Sequence, residues 1–251
     1  MLRTGVLRLR PGDHVSETKA FVAETIGTAM LLTAIVGSGI MGERLSGGNV
    51  AIALLANTLA TGATLVTLIF TFGSVSGAHF NPAVTLADAS HGGIRWREVP
   101  GYIAAQVVGA LLGVWAAHLM FGETVIQVSQ HVRAGGPQMF SEFVATFGLL
   151  SVIWGCGRLR TEAVPFAVGL YITGAYWFTA STSFANPAVT LARSFTNSFA
   201  GIRPADAPGF MAAQLAGAFA ATFLFRWLVP SLPRQAPDVV VPHSEKQLAH
   251  G

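Results

Sequence analysis

The chain has 251 residues, with 15 Lys and Arg against 12 Asp and Glu, for a formal net charge of +3. Only 11% of its residues are charged and 52% are hydrophobic, with a mean hydropathy of +0.55, whereas a soluble domain carries about 25% charge. A water-facing globular domain is excluded by that deficit, a nucleic-acid partner by the absence of any basic run, and an intrachain disulfide by the single cysteine, Cys156.

Taken in chain order, residues 1–19 hold Arg3, Arg8, Arg10 and Lys19 without an apolar core, which predicts a cytoplasmic N-terminal segment and no cleavable leader. A helix crossing a bilayer needs about 20 mostly apolar residues. Six stretches answer to this, at roughly 20–42, 50–73, 98–121, 139–157, 163–180 and 208–230. The fourth and fifth are short and joined by the brief polar link 157–162. Two further apolar pieces, near 77–90 and 182–199, are too short to span, and each has Asn-Pro at its middle. A helix-start signal inside a segment of that length predicts a re-entrant half-helix. Residues 231–251 are polar and contain several prolines, and read as a flexible cytoplasmic tail.

The two halves of the chain repeat each other. Asn81-Pro82-Ala83-Val84-Thr85-Leu86-Ala87 recurs unchanged as Asn186-Pro187-Ala188-Val189-Thr190-Leu191-Ala192, and Pro100-Gly101-Tyr102-Ile103-Ala104-Ala105-Gln106 is echoed by Pro208-Gly209-Phe210-Met211-Ala212-Ala213-Gln214. Glu24 and Thr28 near the start of one half match Glu142 and Thr146 in the other. Three spans per half place the second copy upside down relative to the first. The expected fold is therefore all-α and membrane-embedded: six transmembrane helices plus two re-entrant half-helices in an inverted three-helix repeat, one domain over 20–230 with halves at about 20–121 and 139–230. With the N-terminus inside, Arg3, Arg8, Arg10, Lys19, Arg95, Arg97, Arg158, Arg160, Arg226, Arg234 and Lys246 fall inside, and Arg44, Arg133, Arg193 and Arg203 outside. That asymmetry favours both termini in the cytoplasm, and the expected location is a bacterial inner membrane.

Asn is a preferred helix N-cap and Pro is favoured at the first helical position, so Asn81-Pro82 and Asn186-Pro187 each predict the start of a short helix. Two such starts meeting at the membrane centre concentrate positive potential, which disfavours cations. Each Asn amide can donate to a passing solute oxygen, and carbonyls of the preceding loops, around 77–80 and 183–185, can accept. An apolar wall with such a polar line passes neutral polar molecules and rejects ions.

At these residues the sequence resembles the aquaporin and glycerol-facilitator family. Gly77-Ala78-His79-Phe80-Asn81-Pro82-Ala83-Val84-Thr85 is similar to the family's first signature and Ser183-Phe184-Ala185-Asn186-Pro187-Ala188 to its second, and the likeness runs over about residues 20–230. The resemblance implies a passive channel without cofactor or metal, a homotetramer with one pore per subunit, and carboxylates at Glu24 and Glu142 that brace the re-entrant loops. It also implies an outer selectivity filter, and here the chain departs from the pattern. The Arg that normally follows the second Asn-Pro-Ala is Val189, and family spacing puts the other three filter positions at Thr61, Gly174 and Ser183.

Small side chains and a missing Arg predict a wide filter. The motif Tyr176-Trp177-Phe178-Thr179-Ala180-Ser181-Thr182-Ser183-Phe184 looks like that of bacterial relatives linked to arsenite handling. Neutral metalloid acids such as arsenous acid are thus the first expected solutes, with glycerol-like polyols second and water third. Arg193 lies one turn beyond Val189 and either reaches the outer mouth, or snorkels or caps loop carbonyls. His79 is expected to line the inner pore or pack the loop. Trp96, Trp115, Trp177 and Trp227 are expected as interface anchors. The competing classes are a water-selective channel, an ion-coupled transporter titrating Glu24, Glu142 or His79, and a structural membrane protein. An enzyme is not expected, since no nucleophile–base pair, metal cluster or nucleotide loop is present.

Overall fold

The computed structural model describes residues 16–158 and 160–230. The segments expected at the two ends, 1–15 of the N-terminal segment and the tail 231–251, lie outside the described residues, as does Leu159 in the polar link. The described chain folds into α1 (Glu17–Leu45), α2 (Val50–Ser76), α3 (Pro82–His91), α4 (Val99–Phe121), α5 (Gly136–Gly157), a single 3-10 turn at Thr161–Ala163, α6 (Val164–Phe178), α7 (Pro187–Arg193) and α8 (Ala207–Leu228).

Local chemistry explains where these helices begin. Ser16 and Asn49 cap α1 and α2 through their side chains. Pro stands in the first turn of α3, α4, α5, α6, α7 and α8, where a missing N–H costs nothing. Gly77, Gly92 and Gly122 close α2, α3 and α4 with positive φ.

Helices α1, α2, α4, α5 and α8 are each long and apolar enough to cross a membrane. The fifth expected span is built differently: α6 has 15 residues, roughly 22 Å at the α-helical rise, and the preceding 3-10 turn extends it toward the ~30 Å of a hydrocarbon core. Side chains such as Val22, Ile26, Met30, Leu59, Phe70, Leu170 and Phe223 face outward on these helices, as a lipid-facing surface requires. Trp96, Trp177 and Trp227 are exposed, whereas Trp115 is less so. It is partly buried, packed against the core.

The two halves pack alike. Helix α1 lies along α4, and α5 lies along α8 in the corresponding pairing. Equivalent glycines permit both approaches: a Cβ on Gly109 would stand 2.2 Å from the Thr25 carbonyl oxygen, and one on Gly217 would stand 2.3 Å from that of Phe143. Only a bare Cα fits between such backbones. Helices α2 and α6 complete the ring, and the short helices α3 and α7 enter it from opposite ends and touch at the centre. The repeat read from the sequence is thus present as a three-dimensional inverted repeat, and it sets two identical turns face to face.

Candidate functional site

Each central turn is built the same way. Asn81 and Asn186 are extended, with φ of −155° and −158°, and their side-chain oxygens cap the helices that follow. Asn81 Oδ1 accepts from Ala83 N at 2.9 Å, and Asn186 Oδ1 accepts from Ala188 N at 3.0 Å and Val189 N at 3.2 Å. The amide ends reach across: Asn81 Nδ2 donates to the Ala185 carbonyl and Asn186 Nδ2 to the Phe80 carbonyl, both at 2.7 Å. Each turn is therefore held by the residue preceding the other turn's asparagine.

The loops entering these turns are wound unusually. Ala78, Phe80, Thr182, Ser183 and Ala185 all have φ between 49° and 63°, a conformation that non-glycine residues adopt only when the surroundings hold them there. Glu24 and Glu142 do so. Glu24 accepts from His79 N, Phe80 N, the Ser76 hydroxyl and Gln106 Nε2 at 2.7 to 2.9 Å. Glu142 accepts from Phe184 N at 2.9 Å, Ala185 N at 2.8 Å and Gln214 Nε2 at 2.6 Å. The same glutamines donate to Thr85 and Thr190, whose hydroxyls donate to the Asn81 and Asn186 carbonyls. Both carboxylates are fully buried, and each is surrounded by donors, which is the condition for burying a charge.

A cavity runs past both turns. Leu31, Ile35, Leu65, Ile69, Leu149, Ile153, Val168 and Ile172 form its apolar wall, and the two loops with Asn81 and Asn186 form the polar side. His79 lines the cavity on the α3 side of the turns. Its Nδ1 lies 3.1 Å from the Thr85 hydroxyl and its Nε2 lies 3.7 Å from Asp88 Oδ2.

At the other mouth, Thr61, Ser183 and Val189 line the cavity. Gly174 does not. It is exposed on the far side of α6, and a Cβ built there would meet nothing nearer than the Phe178 ring at 4.0 Å. The cavity face of α6 steps by four through Val164, Val168, Ile172 and Tyr176, so position 174 lies half a turn away. Tyr176 takes the place expected of Gly174: it is 3% exposed, and its hydroxyl stands 3.4 Å from that of Thr61. Arg193 also lines the cavity, with 2% exposure. Its guanidinium carbon sits 3.4 Å from the centroid of the Phe184 ring, and Nε donates to the Ala200 carbonyl. Position 189 lacks an arginine, but the mouth does not.

A second cation closes the loop above. Arg133 lies 5.1 Å from the same Phe184 ring and donates to the carbonyls of Gly201, Ser181 and Phe199 and to the Thr182 hydroxyl. Its own backbone N–H donates to Asp206 Oδ2 at 2.9 Å. The Arg203 guanidinium, hydrogen-bonded to Asp206, holds that carboxyl below the usual carboxylate range.

Comparison with known proteins now has a geometry to explain. The family model described as major intrinsic protein matches residues 12–163 and again 156–249, which together take in all the described helices. The chain belongs to the major intrinsic protein family. Among proteins similar to this member of the family, the aquaglyceroporin AqpS of Rhizobium meliloti (strain 1021) is 55% identical over 217 residues, covering 86% of this chain and 93% of that one. Aquaporin NIP3-1 of Oryza sativa subsp. japonica is 33% identical over 172 residues, 65% of this chain and 53% of that one. The fold matches the X-ray structure of the aquaglyceroporin from Plasmodium falciparum with a TM-score of 0.67 at 20% identity, over 86% of this chain and 99% of that chain. This major intrinsic protein is accordingly an integral membrane channel for small solutes, and not an enzyme.

One lining residue of this family member, Tyr176, escaped assignment from the sequence, and the placement of another, Arg193, was left open between two readings. Tyr176 was visible only as part of a motif, and the four-residue step along α6 is the signal that places it. Arg193 was visible, but its orientation depends on the Ala200 carbonyl and the Phe184 ring, which sequence spacing does not locate.

Proposed function

We propose that the chain is a passive channel for small neutral hydroxylated solutes: polyols of glycerol size, arsenous acid, which is a neutral triol of similar size, and water. The observation that carries this reading is the pair of crossed asparagine–carbonyl bonds beside an otherwise apolar wall. Each amide carries two N–H groups and spends one on the partner loop, which leaves one for a solute oxygen in the cavity. A solute that gives up its water on entry then has donors on one side, and apolar side chains that favour its carbon face on the other. Val189 in place of the family's arginine supports solutes larger than water, as does the likeness to a relative named an aquaglyceroporin.

On this reading Asn81, Pro82, Ala83, Asn186, Pro187 and Ala188 form the central constriction. Thr61, Tyr176, Ser183 and Val189 form the outer one, and His79 faces the inner vestibule. Glu24 and Glu142 support the loops by accepting their N–H groups, and neither lines the cavity where a relayed proton would have to travel. That argues against an ion-coupled transporter. The positive-inside asymmetry supports both termini in the cytoplasm, and the likeness to a relative from Rhizobium meliloti supports a bacterial inner membrane. The family resemblance supports a homotetramer.

A water-selective channel is the second reading, and Tyr176 is the observation that favours it, since it fills the wall where Gly174 was expected. Stopped-flow light scattering on proteoliposomes separates the two, comparing water, glycerol and arsenous acid in the wild type and in Val189→Arg. Passage of glycerol or arsenous acid by the wild type, lost in Val189→Arg while water still flows, is the expected result. A wild type that passes water alone overturns the proposal in favour of the second reading.

A further inference from the structure

The outer mouth holds two arginines on one aromatic ring, and they are not equivalent. Arg133 has an acceptor for each of its three guanidinium nitrogens: Nε to Gly201, Nη1 to Ser181 and Thr182, Nη2 to Phe199. It fastens the loop over the mouth, and its charge is spread over carbonyl oxygens. Arg193 has one fixed acceptor, the Ala200 carbonyl, at Nε. Its Nη1 is buried without a hydrogen-bond partner among the described residues, and no ion pair joins Arg193 to a described carboxylate.

A buried, unpartnered guanidinium nitrogen is expensive, and native structures keep such groups where a solute or water meets them. The surroundings of Arg193 fit that exception. It lines the cavity together with Tyr176, Ser183, Phe184 and Val189, and the Tyr176 hydroxyl is its neighbouring polar group. Phe184 supplies the platform. The ring is 5% exposed and packed edge-on against Phe210 at 5.3 Å, so it cannot swing away and release the guanidinium. An arginine laid on an aromatic face keeps its charge, because a guanidinium stays protonated in a protein and the ring face attracts the cation.

We propose that Arg193, held on the Phe184 ring, is the cation-rejecting group of the outer mouth, one helical turn further out than Val189. The inference rests on the channel reading and deepens it. Set back from position 189, the charge leaves the narrow part of the pore to Thr61, Ser183 and Val189, yet every solute must pass it. Neutral hydroxylated solutes find a donor in its unpartnered Nη1; cations meet a positive charge in a low-dielectric wall.

Proteoliposomes carrying the full chain test this, with glycerol flux by light scattering and proton or potassium flux by a trapped fluorescent indicator in the same vesicles. Arg193→Gln is expected to raise the ratio of cation flux to glycerol flux by about tenfold or more, as loss of an electrostatic barrier does, and Arg193→Lys to keep the wild-type ratio. Arg193→Gln channels that pass glycerol at the wild-type ratio overturn the proposal, and so does an Arg193→Lys channel that leaks as much as the glutamine variant. If Arg193→Gln gives no glycerol flux, Phe184→Leu decides, since it removes the platform and leaves the Ala200 bond. A raised ratio there supports the proposal, and an unchanged ratio overturns it. A wild type that passes neither glycerol nor water overturns the channel reading itself, a different outcome from any of these.

Discussion

The side-chain amide of Asn186 donates to the backbone carbonyl of Phe80 across 2.7 Å, joining two residues that lie 106 positions apart in the chain. The mirror bond runs from Asn81 to Ala185. Asn186→Ala removes a helix cap, worth about 0.5–2 kcal/mol, and leaves the Phe80 carbonyl buried without its donor, at a cost of about 1–3 kcal/mol. Thermal unfolding in detergent should show a fall of roughly 5–10 °C. Asn81→Ala should match it, because its bonds are the same in kind. A drop confined to one variant means the two turns are not energetically equivalent.

The carboxylate braces give a second test. In Glu142→Gln, one oxygen that accepted from loop N–H groups or Gln214 becomes an NH₂ facing those same donors. The expected cost is about 2–4 kcal/mol, with loss of solute flux as the loop through Ser183 leaves its left-handed conformation. Glu24→Gln should act alike on the loop through Phe80. Differential scanning calorimetry and the flux assay check both; a Glu142→Gln channel with wild-type melting and flux shows that the brace is dispensable.

Two glycines, chosen by what a methyl group would meet, should behave oppositely. Gly217→Ala places Cβ 2.3 Å from the Phe143 carbonyl oxygen, so α5 and α8 must separate, at a cost of about 1–3 kcal/mol. Gly174→Ala meets only the Phe178 ring at 4.0 Å, and gains the helix propensity of alanine, worth up to ~1 kcal/mol. Solute flux should be unchanged in Gly174→Ala, whereas Tyr176→Ala should widen the glycerol-to-water ratio. If Gly174→Ala alters selectivity and Tyr176→Ala does not, the register of α6 described here is wrong.

What could be read before folding followed the strength of the local signal. Asn-Pro occurring twice in identical surroundings marks both half-helices, because capping and proline geometry are local properties. The six spans and the inverted repeat followed from apolar length and self-similarity. The face of α6 did not. Which of its residues turn inward is decided where Gly169 meets Gly62 and Val66 on α2, a contact between segments a hundred residues apart, and a count back from Asn186 ignores the turn between Phe178 and Asn186. The orientation of Arg193 was hidden for the same reason. Its side chain is aimed by a carbonyl seven residues later, on a loop that Arg133 and Asp206 hold in place.

The crossed asparagines also bear on how the protein comes together. Each bond takes its donor from one half and its acceptor from the other, so neither half can finish its own centre alone. During synthesis the first three spans and α3 enter the bilayer with the Asn81 amide still seeking Ala185, a residue not yet made. Neither bond can close until residues of both halves are in place. Completing the centre therefore requires both halves, inserted with opposite orientation, and assembly of the pore doubles as a check on that insertion.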